Sequence, residues 1–169
     1  FNNINTGGTQ SPDPAIGFPA TATGDSFFGN TADFGGQVQP TGGVELSNLV
    51  PGKAYTISIF ASRDATDNRE AQYVLEGMTM DTLYLNPSGN TDMVVTATLT
   101  PAADSTIRIT ASPGPNNDNS SGFYYLGAMK VVYDYEEPPP GPMDTLLIDF
   151  GNNISPAPWN NVTGPSAGE

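Results

Sequence analysis

Cysteine and histidine are both absent from this 169-residue chain. The first absence excludes disulfides, thiolate metal sites and thiol nucleophiles, and the second removes the side chain that most often acts as a general base near neutral pH. Basic residues are nearly missing too: five Lys and Arg stand against eighteen Asp and Glu, a formal net charge of −13. Such a surplus repels nucleic acid and anionic lipid, so neither is an expected partner. No apolar run approaches the roughly 20 residues of a membrane helix, which argues against membrane insertion of that kind. Nor does any stretch of useful length carry the 3.6-residue period of an amphipathic helix.

What the chain has instead is 19 Gly and 16 Pro among many Thr, Ser and Asn, the profile of short strands joined by turns. The length suits one domain with a real core, and the composition predicts an extracellular all-β protein. An opening on Phe1 is expected of a processed or excised piece.

Residues 1–25 read as a loop or arm with apolar anchors Ile4, Ile16 and Phe18. Ser26 to Phe28 predicts a short strand, with Phe27, Phe28 and Phe34 as core plugs. From Gly43 a period of two begins. Val44 and Leu46 alternate with Glu45 and Ser47, and Tyr55, Ile57 and Ile59 alternate with Thr56, Ser58 and Phe60. Further strands are predicted at 72–76, 79–85, 93–100 and 106–111. The strongest signal is Gly122 to Tyr135 (GFYYLGAMKVVYDY), apolar on both faces and therefore read as one central covered strand. About eight strands predict an antiparallel two-sheet β-sandwich of the jelly-roll or carbohydrate-binding-module kind.

The chain then divides into a sandwich domain, 1–135, lacking one strand; a Pro-rich linker, 136–144; and a C-terminal strand and tail, 145–169. In the run Thr145 to Phe150 (TLLIDF), the period of two puts Leu146, Ile148 and Phe150 on one face, to fill a groove, and Leu147 and Asp149 on the outer one. Trp159 is expected to anchor the tail, or else to join Tyr84, Tyr124 and Tyr125 in a sugar-stacking platform. The linker holds four prolines (EEPPPGPMD), and a polyproline-like path of about 3.1 Å per residue disfavours a tight hairpin. The strand is therefore expected to reach a neighbouring copy by donor-strand complementation. A head-to-tail contact need not close into a ring, so copies of the chain are the expected partners and a filament the expected product. The competing possibilities are a fold-back onto its own domain and a unit of a tandem array.

The segments NLVPGKAYTISIFASR, TDNREAQY, LNPSGNTD and SGFYYLGAMKV, with LLIDFGNNISPAPWNN near the end and FNNINTGGTQSPDP at the start, resemble a secreted bacterial β-sandwich domain of large multidomain surface proteins, found beside polysaccharide-active modules. The resemblance covers nearly the whole chain. It implies a sandwich at the cell surface, with the family's first strand displaced here to the C-terminus.

Chemistry-bearing motifs are few. Gly24-Asp25-Ser26 resembles the nucleophile block of GDSL lipases and esterases, but that mechanism draws its base from a histidine, so no enzyme is expected and Ser26 is read as the first residue of a strand. The loop Arg63 to Glu70 gathers Asp64, Asp67, Asn68 and Glu70, which would suit a sugar or a calcium ion; an internally paired loop is the plainer reading. No other cofactor is expected. Asn86, Ser88, Asn90 and Asp92 supply oxygens at alternate positions but read best as a hairpin turn, and Asn116 to Asn119 is equally open. Asn119, Asn153 and Asn161 head glycosylation sequons, and Asp81-Thr82-Leu83 and Asp144-Thr145-Leu146 resemble a bacterial O-glycosylation signal.

Overall fold

The computed structural model describes residues 1–133 and 144–162. Nearly all of the predicted linker, together with Tyr135 and the end of the tail, lies outside them. The elements in chain order are β1 (Asn3–Asn5), a 3-10 turn (Pro14–Ile16), α1 (Ala20–Thr23), β2 (Ser26–Phe34), β3 (Gln37–Gln39), β4 (Gly42–Leu46) and β5 (Tyr55–Phe60). There follow β6 (Ala71–Glu76), β7 (Met80–Leu85), β8 (Val95–Leu99), β9 (Ile107–Pro113), β10 (Tyr124–Leu126), β11 (Ala128–Tyr133), β12 (Asp144–Phe150) and β13 (Trp159–Val162). The fold is all-β, as the composition predicts. The exception is the single helical turn α1, which starts after Pro19 and stops at Gly24, where sequence reading expects no helix.

Three sheets share one core. A five-stranded sheet runs β13-β12-β11-β5-β8, a four-stranded sheet runs β4-β9-β6-β7, and a third joins β1, β2 and β10 with β3 beside β2. Alternation decides what each contributes. Tyr55, Ile57 and Ile59 of β5, Tyr73 and Leu75 of β6, and Ile107, Ile109 and Ala111 of β9 are buried in one cluster with Phe27, Leu126 and Met129. Their neighbours Thr56, Ser58, Gln72 and Arg108 point the other way. The five-stranded sheet buries its outer face as well, at one end. There Phe60 and Ala128 lie under Phe18 and Ala22, delivered by the segment around α1.

The run 122–135 is not one strand. Tyr124–Leu126 pairs with β2 in the third sheet, whereas Ala128–Tyr133 lies between β5 and β12 in the five-stranded sheet. Gly127 makes the crossing, and a Cβ there would stand 2.8 Å from the Phe60 carbonyl oxygen. Each half is covered in its own sheet: Tyr124, Tyr125 and Leu126 are buried in succession, and β11 buries Met129 and Val131 in the common core and Ala128 beneath the segment around α1. Two smaller expectations also change. Phe34 is 49% exposed instead of a core plug. The 86–92 segment is no hairpin turn, since β7 pairs with β6 and β8 with β5, and it crosses between sheets instead. Asn90 holds that crossing: its Nδ2 donates to the Ala61 and Met93 carbonyls, and its Oδ1 accepts from the Asp92 and Met93 N–H groups.

Candidate functional site

The tail strand folds back onto its own domain, the competing arrangement to the expected reach into a neighbouring copy. β12 pairs antiparallel with β11 of the same chain, from Ala128 opposite Asp149 to Tyr133 opposite Asp144. Its far side is covered by β13, which runs parallel to it with Leu147 opposite Trp159 and Phe150 opposite Val162. Ile148 and Phe150 enter the common core, where the Phe150 ring lies 5.6 Å from that of Phe27. Trp159 meets Phe18 at 5.6 Å on the outer face. It does not join the tyrosines: Tyr124 and Tyr125 are buried, and Tyr84 lies exposed on β7.

Two parts of the tail depart from the alternation argument. Leu146 shares the inward face yet is 43% exposed, because it stands at an open end of the sandwich. There a cleft of about 400 Å³ separates it from Leu46, Leu49 and Tyr55. A second cleft, of about 300 Å³, lies between Val44 and Leu46 on one side and Ile148 and Phe150 on the other. The seam between β4 and β12 is thus incompletely filled.

Asp149 does face outward, beside Ala128, but it is only 1% exposed, because the segment around α1 covers that face. Its Oδ2 accepts a hydrogen bond from the Ser155 hydroxyl at 2.8 Å, and Ser155 Oγ lies 2.7 Å from Thr21 Oγ1. Asp25, also 1% exposed, accepts at Oδ2 from the Asn152 and Asn153 N–H groups, both at 2.7 Å. One oxygen of each carboxyl has no hydrogen-bond partner. Burial raises Asp25 above the usual carboxylate range, and burial with the nearby charge of Asp25 raises Asp149 to about 6. Alternation alone misses this pair, and the Gly-Asp-Ser motif draws attention to Ser26 instead. Ser26 is fully buried and accepts from Asn5 Nδ2 at 3.0 Å.

The loop 63–70 is largely used by the protein itself. Asp67 Oδ1 accepts from Arg69 Nε at 2.8 Å, a bond that holds its carboxyl below the usual range. Asn68 caps its own loop by accepting from the Glu70 N–H, and both oxygens of Glu70 accept from Asn116. The Asp64 N–H donates to the Gly7 carbonyl. These four side chains do not converge. Among the described residues, no group of three or more Asp or Glu is placed to hold a metal ion.

What the loop does instead is present its two arginines to one cleft of about 410 Å³, at the meeting of β1, β2 and β10. Arg69 lies over the Phe123 ring, 5.3 Å from its centroid, and donates to the Tyr125 hydroxyl at 2.7 Å. Arg63 Nη1 donates to Asn5 Oδ1 at 2.6 Å, and its Nε is buried without a partner. Phe34 forms the outer wall, edge-on to Phe123 at 5.0 Å. Sequence reading treats Arg63 and Arg69 as charge partners within their loop. The available signal was their scarcity, two of five basic residues within seven positions.

No protein-family model and no curated protein matches this chain.

Proposed function

We propose that the chain is a non-enzymatic structural subunit of a bacterial cell-surface assembly whose last strand is exchangeable. In the isolated chain β12 closes its own sandwich; in the assembly the same strand, in the same register, completes a neighbouring copy, and repetition gives a head-to-tail filament. The observation that carries this reading is the mismatch between β12 and its tether. Tyr133 and Asp144 are paired partners in adjacent antiparallel strands, a geometry that a two-residue turn can join. The chain spends residues 134–143 on it, four of them proline. Ten residues, four of them proline, give the strand enough chain to reach a neighbouring copy. The unfilled clefts beneath Leu146 and Ile148 forgo packing contacts that would hold the strand in place. The resemblance to bacterial surface-protein domains supports the location.

The test is a lock. With no native cysteine, the paired positions Val132→Cys and Thr145→Cys would tie β12 to its own β11. The unmodified chain should form dimers and longer ladders in light scattering as concentration rises or after brief warming. The oxidised double variant should stay monomeric, and reduction should restore assembly. A wild-type chain that remains monomeric up to millimolar concentration through repeated warming refutes the reading.

A second reading, a carbohydrate-binding module of a secreted or surface enzyme, is favoured by one observation, the cleft between β1 and β10 with exposed Phe34 at its wall.

A further inference from the structure

We infer that the cleft at Arg63 and Arg69 binds a sugar bearing a single carboxylate, a uronic or sialic acid at the end of a glycan. This rests on the carbohydrate-binding reading and is independent of strand exchange.

In a chain of net −13, two of the five basic side chains line one cleft. Arg69 is partly neutralised by Asp67, but among the described residues Arg63 has no carboxylate in ion-pair range, while the buried Nε of its guanidinium has no acceptor. A guanidinium presents paired N–H groups matched to the two oxygens of a carboxylate, and with Arg63 unpaired and Arg69 only partly offset the cleft keeps positive charge in an otherwise acidic chain. The ligand which that charge selects is an anion.

The rest of the cleft defines what carries that anion. Phe34 offers an exposed ring beside Phe123, a surface suited to the apolar face of a sugar. Asn3 and Thr6 line the same cleft with an amide and a hydroxyl, groups that match ring hydroxyls. A volume of about 410 Å³ lies at the small-molecule end of binding sites, which run from roughly 300 to 1,000 Å³.

Two rival ligands fit less well. A dense polyanion would extend beyond the cleft onto a strongly acidic surface and be repelled there within a Debye length of about 8 Å. An acidic peptide would bind best as an added strand, and the three residues of β1 are too few to template one. A solitary carboxylate on a neutral glycan avoids both penalties.

Titration calorimetry and saturation-transfer NMR on the intact chain would decide, using galacturonate, glucuronate and N-acetylneuraminate as probes, with galactose and N-acetylaspartate amide as controls. At least one acidic sugar should bind saturably, at least tenfold tighter than galactose, with transfer from aromatic protons. Arg63→Gln should weaken it at least tenfold. Because Arg63 also bonds Asn5, Phe34→Ala, at a half-exposed position, provides a second variant, and it should weaken binding while the protein stays folded with only a small drop in melting temperature. Galactose binding as tightly as the acids overturns the acidic-sugar assignment and leaves the carbohydrate reading standing. N-acetylaspartate amide binding as tightly overturns the sugar assignment, and absence of saturable binding by every sugar overturns both. Acid-sugar binding that neither variant alters places the site elsewhere and overturns the proposal.

Discussion

Replacing Asp149 by Asn should stabilise this protein at pH 8 and leave it unchanged at pH 4. The carboxyl is 1% exposed, one of its oxygens has no partner, and Asp25 stands close enough to repel it. Burial, with that repulsion, lifts its pKa from the ordinary 3.8 to about 6. A raised carboxyl pKa means that the folded state prefers the protonated form, so the stability it contributes is fully present below 3.8 and is lost as the pH rises through about 6. At about 1.4 kcal/mol per tenfold change in proton affinity, the charged form costs about 3 kcal/mol. Local relaxation and water entry around the charged form trim this to about 2 kcal/mol. Asn keeps an oxygen for the Ser155 hydroxyl and carries no charge. For a chain of this size, a stability difference of this order corresponds to about 4–8 °C in melting temperature. Thermal denaturation of both proteins from pH 4 to 8, at constant ionic strength, reads the gap between them; relief of the general acidic repulsion affects the two alike and cancels. A gap that does not change with pH, or a variant less stable than the parent at pH 8, would mean that burial does not disfavour the Asp149 charge. The same sign makes docking of β12 tighter in mild acid than at pH 8.

Ile148→Asp should lower the melting temperature sharply, because it forfeits about 1.5–3 kcal/mol of apolar burial and adds an unpaired buried charge; a loss under about 1 kcal/mol in urea titration would mean that β12 is not docked. Truncation after Tyr133 should expose the groove and increase binding of a hydrophobic dye, and a peptide covering 144–162 should reverse it. Gly127→Val should destabilise the fold by more than 1 kcal/mol in the same titration, since its Cβ collides with the Phe60 carbonyl where the chain changes sheets. Asn90→Ala should cost about 1–3 kcal/mol by leaving the Ala61 and Met93 carbonyls without their donor.

Alternation along β5, β6 and β9 made the all-β class and most of the core legible in the sequence, because a side chain's face in a strand depends only on local geometry. The same rule placed Leu146, Ile148, Phe150 and Asp149 on their correct faces of β12. It misjudged the exposure of Leu146 and Asp149, because exposure depends on what lies opposite. The segment around α1 covers Asp149, and nothing fills the seam beside Leu146. The switch at Gly127 was hidden for a related reason: an apolar run looks the same whether one sheet buries both its faces or two sheets each take half. The arginine cleft was least visible of all, as it brings Asn3 and Asn5, Phe34, Arg63 and Phe123 together from four separate stretches. Sequence alone was enough for the strand class, for the absence of cysteine and histidine, and for a separate apolar run of period two after a proline-rich segment. These follow from composition and from periods of a few residues. Tertiary structure alone decided which carboxylates lose their water and which cations share a cleft, because desolvation and convergence come from neighbours distant in the chain.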